Sequence, residues 1–379
     1  MPTRWIKTSF PKGMHYLSGN EAAAEGAIAA GCRFYAGYPI TPSSEIMERM
    51  ASRLMELGGI FIQMEDEMAS ISAVIGASWA GAKAMTATSG PGFSLMQESI
   101  GYAAFTETPC VVIDVQRAGP GTGQATKVGS GDIMQAKWGS HGDYQVIALC
   151  PWSVQEMYDL TLRAFNLSER YRVPSMVMAD EAVGHLRENI SASAKVEVWE
   201  RKKQKRGSPF GTEEKDGVPP MPAFGDGEKV LVTGSTHNEF GFRKTDDPEA
   251  HAKLVSRINE KILKNRSRIV ETEDYLLEDS EMAFVAYGFT ARTSLYVAKR
   301  LRKEGMKVGM LRFKTLWPFP EEAVRDLGQR VKKVIVPEMN LGQMAGEVKK
   351  YCSCDVIPIG QTNGEVIRPE TIVAALRKI

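Results

Sequence analysis

Four short segments carry side chains whose types and spacing suit chemistry. YPITPSS (38–44) holds Thr41 between two prolines that fix the backbone locally. A hydroxyl beside the free amides of a helix start makes a small anion site, and Thr41 or Ser43 also suits plain N-capping. MEDE (64–67) places three carboxyl groups in four residues where a helix begins. The helix dipole favours acids there, and one turned into an apolar contact must be functional or paired. TSGPG (88–92) contains Ser89 and Gly90 and reads as a glycine turn entering a helix, either a simple tight turn or a loop whose free N–H groups meet a ligand. QRAGPGTGQATK (116–127) sets Arg117 among glycines, hydroxyls and amides and ends on Lys127. Arg117 suits a bidentate contact to a planar carboxylate, its alternative being a surface arginine in a loop. His141 is a candidate proton shuttle or a histidine bonded to backbone, and His237 is open in the same way.

The elements needed to position these residues follow from periodicity. From about residue 20 to 185, strand-like and helix-like segments alternate. EAAAEGAIAA reads as a helix ending at Gly31, FYAGYPI (34–40) as a strand, and a helix begins at Pro42. FIQM (61–64) is a strand, Asp66–Ala80 a helix with Met68, Ile71 and Ile75 on one face, and KAMTATS (83–89) a strand. FSLMQESIGYAAF reads as one helix, CVVIDVQ (110–116) as a strand running into a long loop, and VIALC and PSMVMAD as further strands around a helix. Alternation of this kind predicts a parallel sheet covered by helices on both faces. All four chemical segments then lie at carboxyl ends of strands, where open parallel sheets bind ligands. After about residue 186 comes a polar connector containing the basic run RKKQKR, read as a solvated linker face, one strand at KVLVTGS (229–235) and a charged helix. A second α/β unit begins near Met282.

Composition excludes several classes. The chain has 379 residues, enough for two or three domains at roughly 100–200 residues each. Its net charge of +1 offers no global field for nucleic acid. No apolar run reaches the ~18 residues of a membrane span and no secretory h-region precedes the fold, so no membrane association and a cytoplasmic location are expected. The five cysteines are scattered, apart from Cys352 and Cys354, and do not form the closely spaced runs of an iron–sulfur site. The Gly-Asp-Gly at 225–227 has no downstream Asn-Asn pair and reads as a turn, so no metal ligands are expected in this chain.

The segments GNEAAAEGAIAAGCRFYAGYPITPSSEIMERMA, QMEDEMASISAVIGASWAGAKAMTATSGPGFSLMQESIGYA, ETPCVVIDVQRAGPGTGQATK and YRVPSMVMADEAVGHLRE together resemble alpha subunits of 2-oxoacid:ferredoxin oxidoreductases, nearest the 2-oxoglutarate type. AYGFTARTS, KTLWPFP and VPEMNLGQM resemble that family's transketolase-C-terminal-like domain. The resemblance implies a pyrimidine-type thiamine diphosphate domain over 13–190, a connector over 191–275 and the second domain over 276–379. It implies that Glu67 contacts N1′ of the aminopyrimidine, and that Thr41 and Arg117 contact the 2-oxoacid. It also implies that Tyr38, Pro39, Ile40, Ser89 and Gly90 lie beside the cofactor; a second cation near the tail pocket would favour 2-oxoglutarate, and Lys127 is the candidate. It further implies that the cofactor is shared with a beta subunit holding the diphosphate and Mg²⁺, and that iron–sulfur clusters sit on partner subunits. Gamma and delta subunits, CoA and ferredoxin complete the implied set. Pyruvate or branched-chain specificity and a non-catalytic scaffold are the alternatives.

Overall fold

The computed structural model describes residues 3–203 and 207–378. Residues 204–206 of the basic run lie outside the described residues. The start of that run departs from a solvated face: Arg201 is buried and ion-paired to Glu169.

The first lobe is built on strands too apolar to face water on either side. In Cys110–Ala118 every residue but the last is buried, and Pro174–Asp180 is buried throughout. Runs of this kind pair in parallel under helices on both faces. The sheet order is Thr315–Trp317, Ile147–Leu149, Pro174–Asp180, Cys110–Ala118, Ala84–Thr88, Phe34–Gly37, Ile60–Gln63. All neighbours pair in parallel except the first two strands, which are antiparallel. Phe34–Gly37 lies between the next two strands of the chain, Ile60–Gln63 on one side and Ala84–Thr88 on the other. The winding direction therefore reverses there, and the crevice between Phe34–Gly37 and Ala84–Thr88 is the switch point.

Small residues let the covering helices approach closely. Gly19–Ala29 is almost wholly buried, and a Cβ at Gly26 would overlap the Tyr158 carbonyl of helix Val154–Tyr171. The second lobe's sheet runs Thr272–Tyr275, Val308–Phe313, Met282–Ala286, Lys333–Glu338, Asp355–Gly360, parallel except for its first strand. Among the described residues no helix is long and apolar enough to cross a membrane.

Several expected elements differ. The first strand stops at Gly37 and the next helix starts at Ser44, because Pro39 and Pro42 have no N–H to donate. FSLMQESIGYAAF forms two helices, Gly90–Leu95 and Gln97–Phe105, meeting at Met96. Part of the long loop after residue 116 is a strand, Gln124–Val128, folded back antiparallel on Cys110–Ala118 with Arg117 opposite Val128. KVLVTGS forms no strand: Val230 and Val232 pack on the core instead of pairing, and only His237 and Arg243 form a bridge. The charged helix is Pro248–Leu263 followed by a short turn, Arg266–Ile269. Met68 points outward, 49% exposed, although Ile71 and Ile75 are buried as expected.

Candidate active site

The acid-bearing helix, Glu67–Trp79, begins where strand Ile60–Gln63 ends. Asp66 occupies the N-cap and its Oδ1 accepts the Ala69 amide at 2.7 Å, which fixes the first turn. Glu67 is thereby turned inward and is only 5% exposed. Its carboxyl lies against the bare backbone of Gly92, where a Cβ would overlap Glu67 Oε1 and Thr88 Oγ1. Burial raises the Glu67 carboxyl above its ordinary value, and the neighbouring Asp66 adds to the effect.

Strand Phe34–Gly37 empties into residues 38–43 on the other side of the switch point. The Ser43 hydroxyl donates to the Ile40 carbonyl at 2.9 Å, and the buried Asn20 amide donates to the Pro42 carbonyl at 2.8 Å. Thr41 is exposed, and its carbonyl accepts from Arg117 Nη1 at 2.8 Å. Arg117 is 8% exposed and its Nε is buried without a partner. Its side chain passes beside Gly90: a Cβ there would lie 3.9 Å from Arg117 Cγ. Gly90 itself has φ +20°, outside the comfortable range of an L residue.

Thr41, Arg117, Gly90, Gly92 and Glu67 thus form one continuous chain of neighbours around the crevice. Ser89 joins it, buried, with an unpartnered hydroxyl, as has Thr88. Tyr38 and Pro39 are exposed and Ile40 is half-buried on the same loop. A cavity of about 720 Å³ opens from this chain, walled by Gly90, Arg117, Gly131 and Asp132 from the first lobe and Asn340 and Gln343 from the second. Lys127 stands apart, its ammonium ion-paired to Glu365 at 2.5 Å. His141 is exposed. His237 is buried, bonded to the Ser235 carbonyl and packed against Phe105 and Phe210, a structural setting.

Thr88 and Gly92, the ends of the TSGPG segment, also border the site though neither was named as a site residue, and Asp114 and Asp132 border it with no motif to mark them. The second glycine of GPG was the available signal for Gly92; Asp114 is hidden inside an apolar strand. The residues fit an aminopyrimidine ring. A carboxyl that retains its proton more readily than usual lies against Gly92, beside the buried Thr88 and Ser89 hydroxyls with unused bonding capacity, one step behind the cavity wall at Gly90.

A buried acid at the switch point of a doubly wound sheet, with a second α/β lobe closing the cavity, defines a thiamine diphosphate-binding protein of the 2-oxoacid oxidoreductase class. The family model described as pyruvate flavodoxin/ferredoxin oxidoreductase, thiamine diphosphate-binding, matches residues 25–257, and that for pyruvate:ferredoxin oxidoreductase core domain II matches 280–372. The chain belongs to the pyruvate flavodoxin/ferredoxin oxidoreductase family.

It is 53% identical over 370 residues to 2-oxoglutarate synthase subunit KorA of Methanocaldococcus jannaschii, covering 96% of this chain and 99% of that one. Ketoisovalerate oxidoreductase subunit VorB of Methanothermobacter marburgensis is 36% identical, covering 96% and 97%. Among solved structures, 2-oxoglutarate:ferredoxin oxidoreductase from Magnetococcus marinus, bound to 2-oxoglutarate, coenzyme A and succinyl-CoA, superposes with a TM-score of 0.91 at 34% identity. That match covers 97% of this chain and 65% of the longer neighbour.

Proposed function

We propose that this chain is the alpha subunit of a 2-oxoacid:ferredoxin oxidoreductase. The enzyme converts 2-oxoglutarate and CoA to an acyl-CoA and CO₂, with electrons passed to ferredoxin. The carrying observation is the buried Glu67 carboxyl seated on Gly92 and linked through Gly90 to the Arg117–Thr41 contact. The names of the relatives favour 2-oxoglutarate over other 2-oxoacids.

When bound, thiamine diphosphate supplies the carbanion chemistry that splits the bond to the departing carboxylate. Glu67 holds a proton at its carboxyl against the ring nitrogen, the role that burial suits it for. Arg117 binds the substrate carboxylate with the guanidinium edge not committed to the Thr41 carbonyl, and the Thr41 hydroxyl orients the 2-oxo group. Tyr38, Pro39, Ile40, Ser89 and Gly90 shape the wall beside the ring. Lys127 meets the far carboxylate of the substrate only by exchanging its ion pair with Glu365. In this reading residues 13–190 are the pyrimidine-binding domain, 191–275 the connector and 276–379 the second domain. Mg²⁺ and iron–sulfur clusters reside on beta and further subunits, and the complex is cytoplasmic.

The test is co-expression with the beta subunit followed by Glu67→Ala. We expect 2-oxoglutarate-dependent reduction of viologen to fall at least ~100-fold, the scale of a lost proton-holding group, with the melting profile retained. Undiminished reduction would mean a scaffold rather than a catalytic subunit. A panel of pyruvate, 2-oxoglutarate and branched 2-oxoacids on the same complex reads substrate choice.

A further inference from the structure

The mechanism above leaves one pair of acids beside the site unused. Asp114 stands on the buried strand Cys110–Ala118; its side chain is wholly enclosed, and among the described residues only the Gly90 amide approaches its carboxyl as a donor, short of a well-formed bond. Asp132 occupies the N-cap position of helix Ile133–Trp138 but makes no capping bond, and one of its oxygens is likewise buried without a well-formed bond. Both carboxyls stand at Gly90, where a Cβ would lie 3.8 Å from Asp132 Oδ2, and each acts on the other: the Asp132 carboxyl opposes ionisation of Asp114 by its charge and by hydrogen bonding. Two ionised carboxylates so placed, out of water, repel strongly, whereas a single shared proton turns the repulsion into a bond. Burial and this contact raise Asp114 well above the usual carboxylate range; burial raises Asp132 too.

The pair touches the site directly. The Gly90 amide adjoins both carboxyls, and the Arg117 guanidinium favours negative charge on Asp132. Asp132 also lines the cavity into which Arg117 faces. Its own amide donates to Gln116 Oε1 at 3.1 Å, which ties the helix start to the strand carrying Arg117. Other titratable groups around these elements are engaged elsewhere. Glu67 sits over Gly92, Asp180 accepts the amides of Val183 and Phe289, and Glu338 accepts from Tyr287, Met344 and Ala345.

We propose that Asp114 and Asp132 share one proton while the cavity is free, and that the pair takes up a second from solvent when the substrate's carboxylate docks on Arg117. The charge bookkeeping is simple. Before docking, the guanidinium is balanced by one negative charge on the pair. After docking, the substrate carboxylate balances it and the pair is neutral, so the enclosed charge is zero in both states. One O–H bond forms on the pair as the bond holding that proton to a buffer acid or hydronium in the solvent breaks. Asp132 is thus a positioning residue that acts through Arg117. The proposal rests on the reading of Arg117 as the carboxylate site.

The test is calorimetric titration of the assembled complex with N-oxalylglycine, an analogue of 2-oxoglutarate whose amide carbonyl is not split. Repeating it at pH 7 in two buffers of different ionisation enthalpy gives the protons taken up per site. We expect uptake approaching one in the parent, and affinity that weakens by up to ~10-fold per pH unit as pH rises. In Asp132→Asn uptake should vanish and the pH slope flatten. Asp114→Asn, which offers Asp132 a fixed donor, should do the same and serves if the first variant does not fold. Equal uptake in parent and variants, or none in the parent, overturns the proposal. Arg117→Gln separates the two failures. If it weakens binding while no uptake is seen, the pair inference alone falls; if binding is indifferent to it, the docking reading falls and takes the inference with it.

Discussion

At the residue scale, the site depends as much on a missing side chain as on those present. Glu67 reaches its place because Gly92 leaves backbone bare under the carboxyl. Gly92→Ala would place a methyl where Glu67 Oε1 and Thr88 Oγ1 now sit; Thr88 stands on a buried strand, so the Glu67 carboxyl is the group that must swing away. We expect the alanine variant to lose at least ~10-fold of 2-oxoglutarate-dependent viologen reduction, as expected for a displaced proton-holding group, while its melting temperature stays within a few degrees of the parent; full activity would show that the carboxyl does not need this seat. Glu67, Thr41 and Arg117 were legible in the sequence because each stands in a short motif at a strand end. Asp114 and Asp132 were not. The first is embedded in CVVIDVQ, which reads as pure core, and the second meets it only because the chain folds back as Gln124–Val128, a hairpin that glycine-rich composition does not disclose.

At the element scale, the connector helix Pro248–Leu263 is fastened by buried charge rather than by an apolar stripe alone. Glu107, at φ +51°, receives Arg257 at 2.6 and 2.8 Å and Lys261 at 2.7 Å. Burial by itself would raise the Glu107 carboxyl, but the two cations outweigh it and hold it far below the usual carboxylate range. Burial also lowers Lys261, to about 8. A depressed carboxyl contributes stability that is present above its unfolded value, near 4.5, and is lost as pH falls toward the folded one. Glu107→Gln is expected to cost about 3–5 kcal/mol at neutral pH, since it strands a buried ammonium. Urea unfolding at pH 7 and pH 3 checks this: the parent should lose more stability on acidification than the variant, and equal losses would remove Glu107 from the account. Sequence reading saw the charges of this helix but gave them no partner. Their buried partner lies some 150 residues earlier in the chain, at a left-handed turn that nothing in ETP announces.

At the scale of the whole molecule, the two lobes are stitched rather than merely adjacent. Thr315–Trp317 leaves the second lobe to pair antiparallel with Ile147–Leu149 in the first. Trp317 Nε1 donates to the Ile133 carbonyl at 2.9 Å, and Asn340 bonds both the Ser130 carbonyl and the Tyr287 hydroxyl. Scanning calorimetry of the chain should therefore give one cooperative transition, because the second lobe cannot melt without taking a strand out of the first lobe's sheet, and the first cannot melt without releasing that strand and the Trp317 and Asn340 bonds. Two resolved peaks would contradict that coupling. Alternation of strand and helix was enough to anticipate both lobes. The stitch was invisible because TLW is three residues long and precedes a proline, too brief for a period of two to register.

The exposed turn Phe224–Gly227 lies in the connector between the lobes, while buried bonds cross from one side of it to the other: Lys261 to Glu107, and Thr315–Trp317 to the first sheet. Covalent continuity at that turn is thus dispensable once folding is complete. A protease nicking it would leave two fragments that remain a single particle, and the same polypeptide encoded as two halves broken there has the contacts to reassemble without a peptide bond between them.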